Sequence, residues 1–225
     1  DRIESRGLGD VYKRQTPDFA GTDEFQGQIV HPQHWPDNLD YRDKRVVVIG
    51  SGATAITLVP TMAGETASLV MLQRSPTYIA DIPLEDPMAM WLRKWLPLAW
   101  ASRLTRWKKV LYQIYVYRLS RKRPKALRHF LLSEVRKQLG SDYDVKTHFT
   151  PRYNPWDQRL CAVPNGDMFS AIREGRAEVV TDHIDRFNRE GIQLKSGQQL
   201  DADIVIMATG LNLKFAGGVE YQVDN

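Results

Sequence analysis

Apolar residues fall along this chain in two rhythms. Short unbroken runs, "RVVVI" at 45–49, "SLVML" at 68–72 and "DIVIM" at 203–207, suit strands buried on both faces of a parallel sheet. Between residues 86 and 139 the apolar positions return every three or four residues instead. That spacing predicts three helices, broken at Pro97 and Pro124. A first strand, Arg45–Ile49, runs through a glycine turn into a helix from Ala53 to about Ala63, with Pro60 expected to kink or end it. A second strand covers Ser68–Ser75, completing a βαβ unit.

Beyond the helices, Asp142–Gly166 is rich in proline and aromatic residues and reads as loop, followed by a short helix from Asp167 to about Arg173. "AEVVTD", "IDRFNREGIQL" and "KSGQQLDA" then read as a small antiparallel meander turning at Gly191 and Gly197. A buried strand enters a last glycine turn at Thr209 and Gly210. The expected fold class is α/β: a Rossmann-like parallel sheet plus the meander, interrupted by a helical subdomain.

Charge changes this picture in one place. Met90–Lys137 holds 14 Lys and Arg against a single acid, Glu134, a net of +13, whereas the remaining residues sum to −9. This basic stretch contains Trp91, Trp95, Trp100 and Trp107. It admits three readings: a packed subdomain with solvated charges, a cationic face near bound phosphates, or a helical surface for an acidic membrane. Nucleic-acid binding is not expected. The one cysteine, Cys161, rules out an intramolecular disulfide and fits a reducing, cytoplasmic setting. The opening "DRIESRGLGDVYKRQ", residues 1–15, has no apolar core. It reads as a non-native leader, or else as a natural disordered terminus, and not as a signal peptide.

The chemistry is carried by "GSGATA": Gly50, Ser51, Gly52, Ala53, Thr54 and Ala55. In a G-x-G-x-x-A turn the first glycine makes the bend, the second admits a pyrophosphate, and the small third residue packs helix on strand. Amides at the helix start then face the phosphates. Strand before and helix after are the context this motif requires. The second strand ends in "QRS", where an NAD site usually carries an acid. Arg74 and Ser75 there favour a 2′-phosphate, hence NADPH. An ordinary solvated Arg74 is the plainer alternative.

Before the first strand stands "FQGQIVHPQHWP". It matches F-x-G-x-x-x-H-x-x-x-W-P at Phe25, Gly27, His31, Trp35 and Pro36, and so resembles the fingerprint of Baeyer–Villiger flavin monooxygenases. "LQRSPTY" is similar to their NADPH site, and "DIVIMATG" to the strand returning to their FAD domain. "HFTPRYNPWDQRLCAVPNGDMF" resembles the ethionamide-activating branch. The resemblance implies an enzyme using FAD, NADPH and O2 to insert one oxygen atom into ketones or to oxidise sulfur or nitrogen in small molecules. An N- or S-oxygenating flavin monooxygenase is the enzymatic alternative, disfavoured by Trp35 and Pro36. It also implies a piece of a longer protein, with most of the FAD domain missing, so a non-catalytic NADPH-binding module is the alternative for the chain alone.

The implied division is a leader (1–15), an inter-domain linker (16–41), an NADPH-binding domain (42–85 and 140–210), the helical insertion (86–139) and the start of the return to the FAD domain (211–225). The resemblance further implies a catalytic arginine, best matched by Arg159, with Arg152 competing; a loop ion pair with Asp157 is the plainer role for Arg159. No metal is expected, because His31 and His34 have no carboxylate or thiolate partner nearby in sequence. In that frame the fingerprint is a stiff linker: Gly27 for a turn, Pro32 and Pro36 for rigidity, Trp35 for anchoring, and His31 orienting loops.

Overall fold

The structure is a computed structural model that describes residues 17–210. The leader and the 211–225 segment therefore lie outside the described residues. Strands come in the order β1 (Gln28–Val30), β2 (Arg45–Ile49), β3 (Ser68–Gln73), β4 (Tyr78–Ile82), β5 (Leu160–Pro164), β6 (Glu178–Thr181), β7 (Ile184–Phe187), β8 (Gly191–Leu194), β9 (Gln199–Asp201) and β10 (Ile204–Met207). Helices are α1 (Ala53–Met62), α2 (Pro87–Trp95), α3 (Leu98–Lys122), α4 (Pro124–Leu139), α5 (Val145–Phe149) and α6 (Asp167–Arg173).

Five strands form a parallel sheet in the order β1-β10-β2-β3-β6. Successive side chains on β2 point to opposite faces, and each face has its own core. Val46 and Val48 pack with α1, α4, α5 and α6 residues such as Val59, Val135, Phe149 and Phe169. Val47 and Ile49 pack with the three-stranded antiparallel sheet β7-β8-β9 through Phe187, Ile192, Leu194 and Leu200. The result is three layers: helices, parallel sheet, meander.

The helices obey their local signals. Asp86 caps α2, its Oδ1 accepting from the amides of Met88 and Ala89 at 3.1 Å, with Pro87 in the first turn. Pro124 opens α4, and Gly140 (φ 91°) closes it in a conformation suited to glycine. Pro60 sits inside α1, which ends two residues later. α4 packs into the main core through Val135 and Leu139, and against Tyr78 through Leu127 and Leu131. α2 and α3 leave most of their side chains exposed.

Four sequence expectations need correction. The stretch expected as loop contains α5 and β5, and "YIADI" forms β4, which pairs in parallel with β5 as a separate small sheet. These strands are too short and too mixed in polarity to announce themselves. "AEVVTD" does not belong to the meander: β6 is an edge of the parallel sheet, paired with β3. The second strand stops at Gln73, leaving Arg74 and Ser75 in a bend. Finally, the fingerprint is more than a connector, because its "QIV" forms β1 in parallel with β10. Gly27 serves this by close approach: a Cβ there would come 2.4 Å from both the Asp203 carbonyl oxygen and the Phe25 ring.

Candidate nucleotide site

All five parallel strands end on the same edge, and in open α/β sheets that carboxyl edge is where ligands bind. β3 and β6 lie to one side of β2 and β10 to the other, so the strand order reverses at the β2–β10 boundary. Gly50 sits at this switch point. It adopts φ 135°, and a Cβ on it would come 2.3 Å from the Ala208 carbonyl oxygen. Any other residue would be both strained and obstructed there. Gly52 precedes α1 with ordinary φ (−83°), and no side chain caps the helix start. The first helical bond is donated by the Ile56 amide to the Gly52 carbonyl. Ahead of it, the first-turn amides of Ala53, Thr54 and Ala55 carry the partial positive charge of the helix N-terminus, suited to an anion. Ala55 is fully buried, the small residue that lets α1 lie close to the sheet.

The loop is tied to its neighbours. The Ser51 hydroxyl, largely buried, donates to the Ser75 carbonyl at 3.2 Å. This bond pins the glycine turn to the bend after β3 and brings Arg74 and Ser75 beside it. Both side chains are exposed, and Arg74 has no ion pair among the described residues. Thr209 and Gly210 (φ 138°) follow β10 at the same edge.

Arg159 also reaches this loop. A Cβ at Gly52 would lie 3.5 Å from Arg159 Nη1. The expected partner for a plain ion pair, Asp157, is taken by Arg121 of α3 at 2.6 Å. Arg159 is thus left exposed, without an ion pair among the described residues. Arg152, the competing candidate, is also exposed. Cys161, two residues on, is buried, and desolvation pushes its thiol pKa up despite the Arg159 charge.

Residues that sequence reading passed over hold Arg159 in place. The Tyr153 hydroxyl donates to the Arg159 carbonyl at 2.8 Å and lies 2.9 Å from Thr77 Oγ1. The buried Tyr78 donates to the Tyr153 carbonyl at 2.7 Å, with the two rings edge to face. Trp156, at φ 68°, meets Tyr117 of α3 edge to face. The only sequence signal for this clamp was the aromatic richness of the loop. Beneath β3, buried Gln73 donates to the His148 carbonyl (2.7 Å) and to Thr181 Oγ1 (2.9 Å), while His148 Nδ1 meets the same hydroxyl at 2.9 Å.

His31 stands at the carboxyl end of β1, beyond Val30, which is level with Ile206. Its Nδ1 accepts from the Gln33 amide at 3.2 Å, capping a turn at Pro32–His34. The proton is then assigned to Nε2, the one buried side-chain nitrogen or oxygen without a hydrogen-bond partner among the described residues. Phe25 is buried against Phe187, and Trp35 packs on the helix-side core, followed by the half-buried Pro36. Asp167 is occupied by the Met168 amide. Among the described residues no group of three or more His, Cys, Asp or Glu could hold a metal ion.

Comparison with known proteins agrees with this layout. A family model for flavin-binding monooxygenase-like proteins matches residues 13–220. The FAD-containing monooxygenase EthA of Mycobacterium tuberculosis is 56% identical over 210 residues, spanning 93% of this chain and 43% of that protein. The probable FAD-binding monooxygenase AlmA of Acinetobacter baylyi is 56% identical over 209 residues, 92% of this chain and 42% of its own. The chain thus spans less than half the length of these relatives. Among solved structures, an oxidised steroid monooxygenase bound to NADP superposes with a TM-score of 0.67 at 24% identity, over 87% of this chain and 44% of that one.

Proposed function

The chain belongs to the flavin-binding monooxygenase-like family, and from that premise we propose that it is the NADPH-binding portion of an FAD- and NADPH-dependent monooxygenase of Baeyer–Villiger type. The parent enzyme would insert one oxygen atom from O2 into a ketone, or oxidise sulfur or nitrogen in a small molecule. Within the proposal, residues 42–85 and 140–210 form the nucleotide domain, 86–139 the insertion, and 16–41 the join to the flavin domain. A cytoplasmic setting with peripheral membrane contact through 86–139 is part of the same reading.

One observation carries it. A glycine turn with an uncapped helix start, an arginine without an acid at the next strand end, and a second unpaired arginine meet at one sheet edge. These residues fit NADPH. The amides of Ala53, Thr54 and Ala55 would take the pyrophosphate, Gly52 leaving room for its approach. Arg74 would hold the 2′-phosphate by charge-assisted hydrogen bonds. NADPH, when bound, supplies a hydride for flavin reduction. Arg159 would keep a permanent positive charge beside the nucleotide, a role for which guanidinium suits because it does not lose its proton. The described residues hold one glycine-rich strand–helix turn, which leaves no comparable cradle for FAD. The flavin is therefore proposed from the family alone.

The same single cradle favours a second reading for the isolated chain, a nucleotide-binding module without turnover. Purified chain titrated with NADPH and NADH tests both. Preferential NADPH binding supports the site; equal or absent binding of both overturns it. A yellow preparation that consumes O2 with NADPH would reject the module reading.

A further inference from the structure

α3 is apolar on two sides. One side meets α2 and α4: Ala101 is buried, Lys108 pairs with the α2 cap Asp86 at 2.6 Å, and Val116 packs by Tyr78 and Leu127. The other side is covered by nothing among the described residues. Trp100, Leu104, Trp107, Leu111, Ile114 and Tyr115 are 44–63% exposed. At 3.6 residues per turn they fall within an arc of about 100° running most of the helix length. Exposed apolar surface arranged as a continuous stripe marks an interaction face, unlike scattered single residues.

We propose that this outward stripe docks on an anionic lipid surface, with α3 lying flat along it. This extends the membrane contact included in the functional proposal by naming the face, its orientation and the lipid charge. The stripe's aromatic residues have apolar bodies with a polar N–H or O–H at the tip, which suits them to the headgroup boundary. Arg103 lies at its edge and Arg118 in line with it beyond Tyr115, both exposed and without an ion pair among the described residues. Arg103 stands over the Trp100 ring, 6.0 Å from its centroid. Long basic side chains around an apolar stripe can lay their stems on it and put their charges among headgroups. α3 contains no Asp or Glu at all. A second copy docked face to face would meet the same positive charge with nothing to neutralise it, whereas anionic headgroups supply the missing sign. No helix among the described residues is long and apolar enough to cross a membrane, so the contact is one of surface attachment.

The test is sedimentation of the full chain with lipid vesicles at low salt. Vesicles of phosphatidylcholine with about 30 mol% phosphatidylglycerol should carry the protein down, pure phosphatidylcholine should carry much less, and added salt should release it. Replacing Trp100 and Trp107 together by Ser removes two exposed rings without touching the core. It should lower the bound fraction about tenfold, with NADPH affinity and circular dichroism unchanged. Charge reversal by Arg103→Glu with Arg118→Glu should do the same. Absence of sedimentation with the anionic vesicles, or binding indifferent to both variant pairs, overturns the proposal. So does concentration-dependent self-association abolished by the tryptophan pair, which would make a second copy the occupant. Vesicle binding with NADPH binding absent would instead remove the nucleotide reading and leave the lipid face standing.

Discussion

Arg159 Nη1 stands over Gly52 with room for little more than a methyl group between them, 3.5 Å from where a Cβ would be. Gly50, two residues earlier, has a different need: φ 135° and 2.3 Å from a Cβ to the Ala208 carbonyl oxygen. In the proposed site one glycine keeps the approach to the helix start open; the other keeps the chain from colliding with itself.

The two glycines should therefore fail differently. Gly52→Ala makes an ordinary van der Waals contact at permitted φ, so its melting temperature should stay near that of the parent. NADPH affinity should drop by about tenfold or more, because the methyl occupies the approach to the helix start. Gly50→Ala should instead cost on the order of 2 kcal/mol or more of stability from backbone strain and collision. Paired thermal melts and nucleotide titrations separate the two. Equal loss of stability in both variants would contradict the assignment.

Arg74→Ala should weaken NADPH by roughly ten- to a hundredfold, the worth of charge-assisted hydrogen bonds to a phosphate, and leave NADH affinity unchanged. Fluorescence titration with both nucleotides reads this directly. Parallel losses for the two would move Arg74 away from the 2′-phosphate.

Tyr153→Phe keeps the ring against Tyr78 but removes the hydroxyl that joins Thr77 to the Arg159 carbonyl. Its stability cost should be about 1–2 kcal/mol. If the clamp aims Arg159, NADPH affinity should also fall, and Arg159→Ala should make the Tyr153 substitution silent toward the nucleotide. A double-mutant cycle showing simple additivity would reduce Tyr153 to a local support.

His148 gives the fold a pH dependence of known sign. Burial lowers its pKa below the ordinary 6.5, with Asp144 and Glu178 opposing. The unfolded chain then binds more protons than the folded one in that range, so stability rises with pH. It is lost as pH falls from about 6.5 through the folded value. Asp203 adds a loss at lower pH: the Arg45 guanidinium holds its carboxyl below the usual range, and that stabilisation disappears as the carboxyl protonates. Urea midpoints measured at neutral pH and about one unit below 6.5 should differ, and His148→Gln should flatten the difference. An unchanged slope would place the titration elsewhere.

How much of this could be seen in the sequence depended on whether a residue's neighbours in space were also neighbours along the chain. β2, the turn and α1 obey local rules, so Arg45–Ile49 and the start at Ala53 could be placed to the residue. Pro97 and Pro124 likewise marked the helix breaks. β1 was hidden because a three-residue edge strand owes its existence to β10, more than 170 residues away. β4 and β5 define each other across the whole helical stretch, and neither carries a period of its own. In the site, Arg74 could be read from its position after a strand. The freedom of Arg159 could not, since it depends on Arg121 having captured Asp157 from 36 residues away.

The β4–β5 pair has a consequence for how this chain can vary. Parallel neighbours must be joined by a crossover of a dozen or more residues, usually helical. α4, packed between the main core and Tyr78, already meets that demand. Topologically, α2 and α3 are surplus: the sheet would close without them. Their outward residues answer to no packing constraint among the described residues. Substituting the tryptophans and arginines of that face should therefore cost the described fold little.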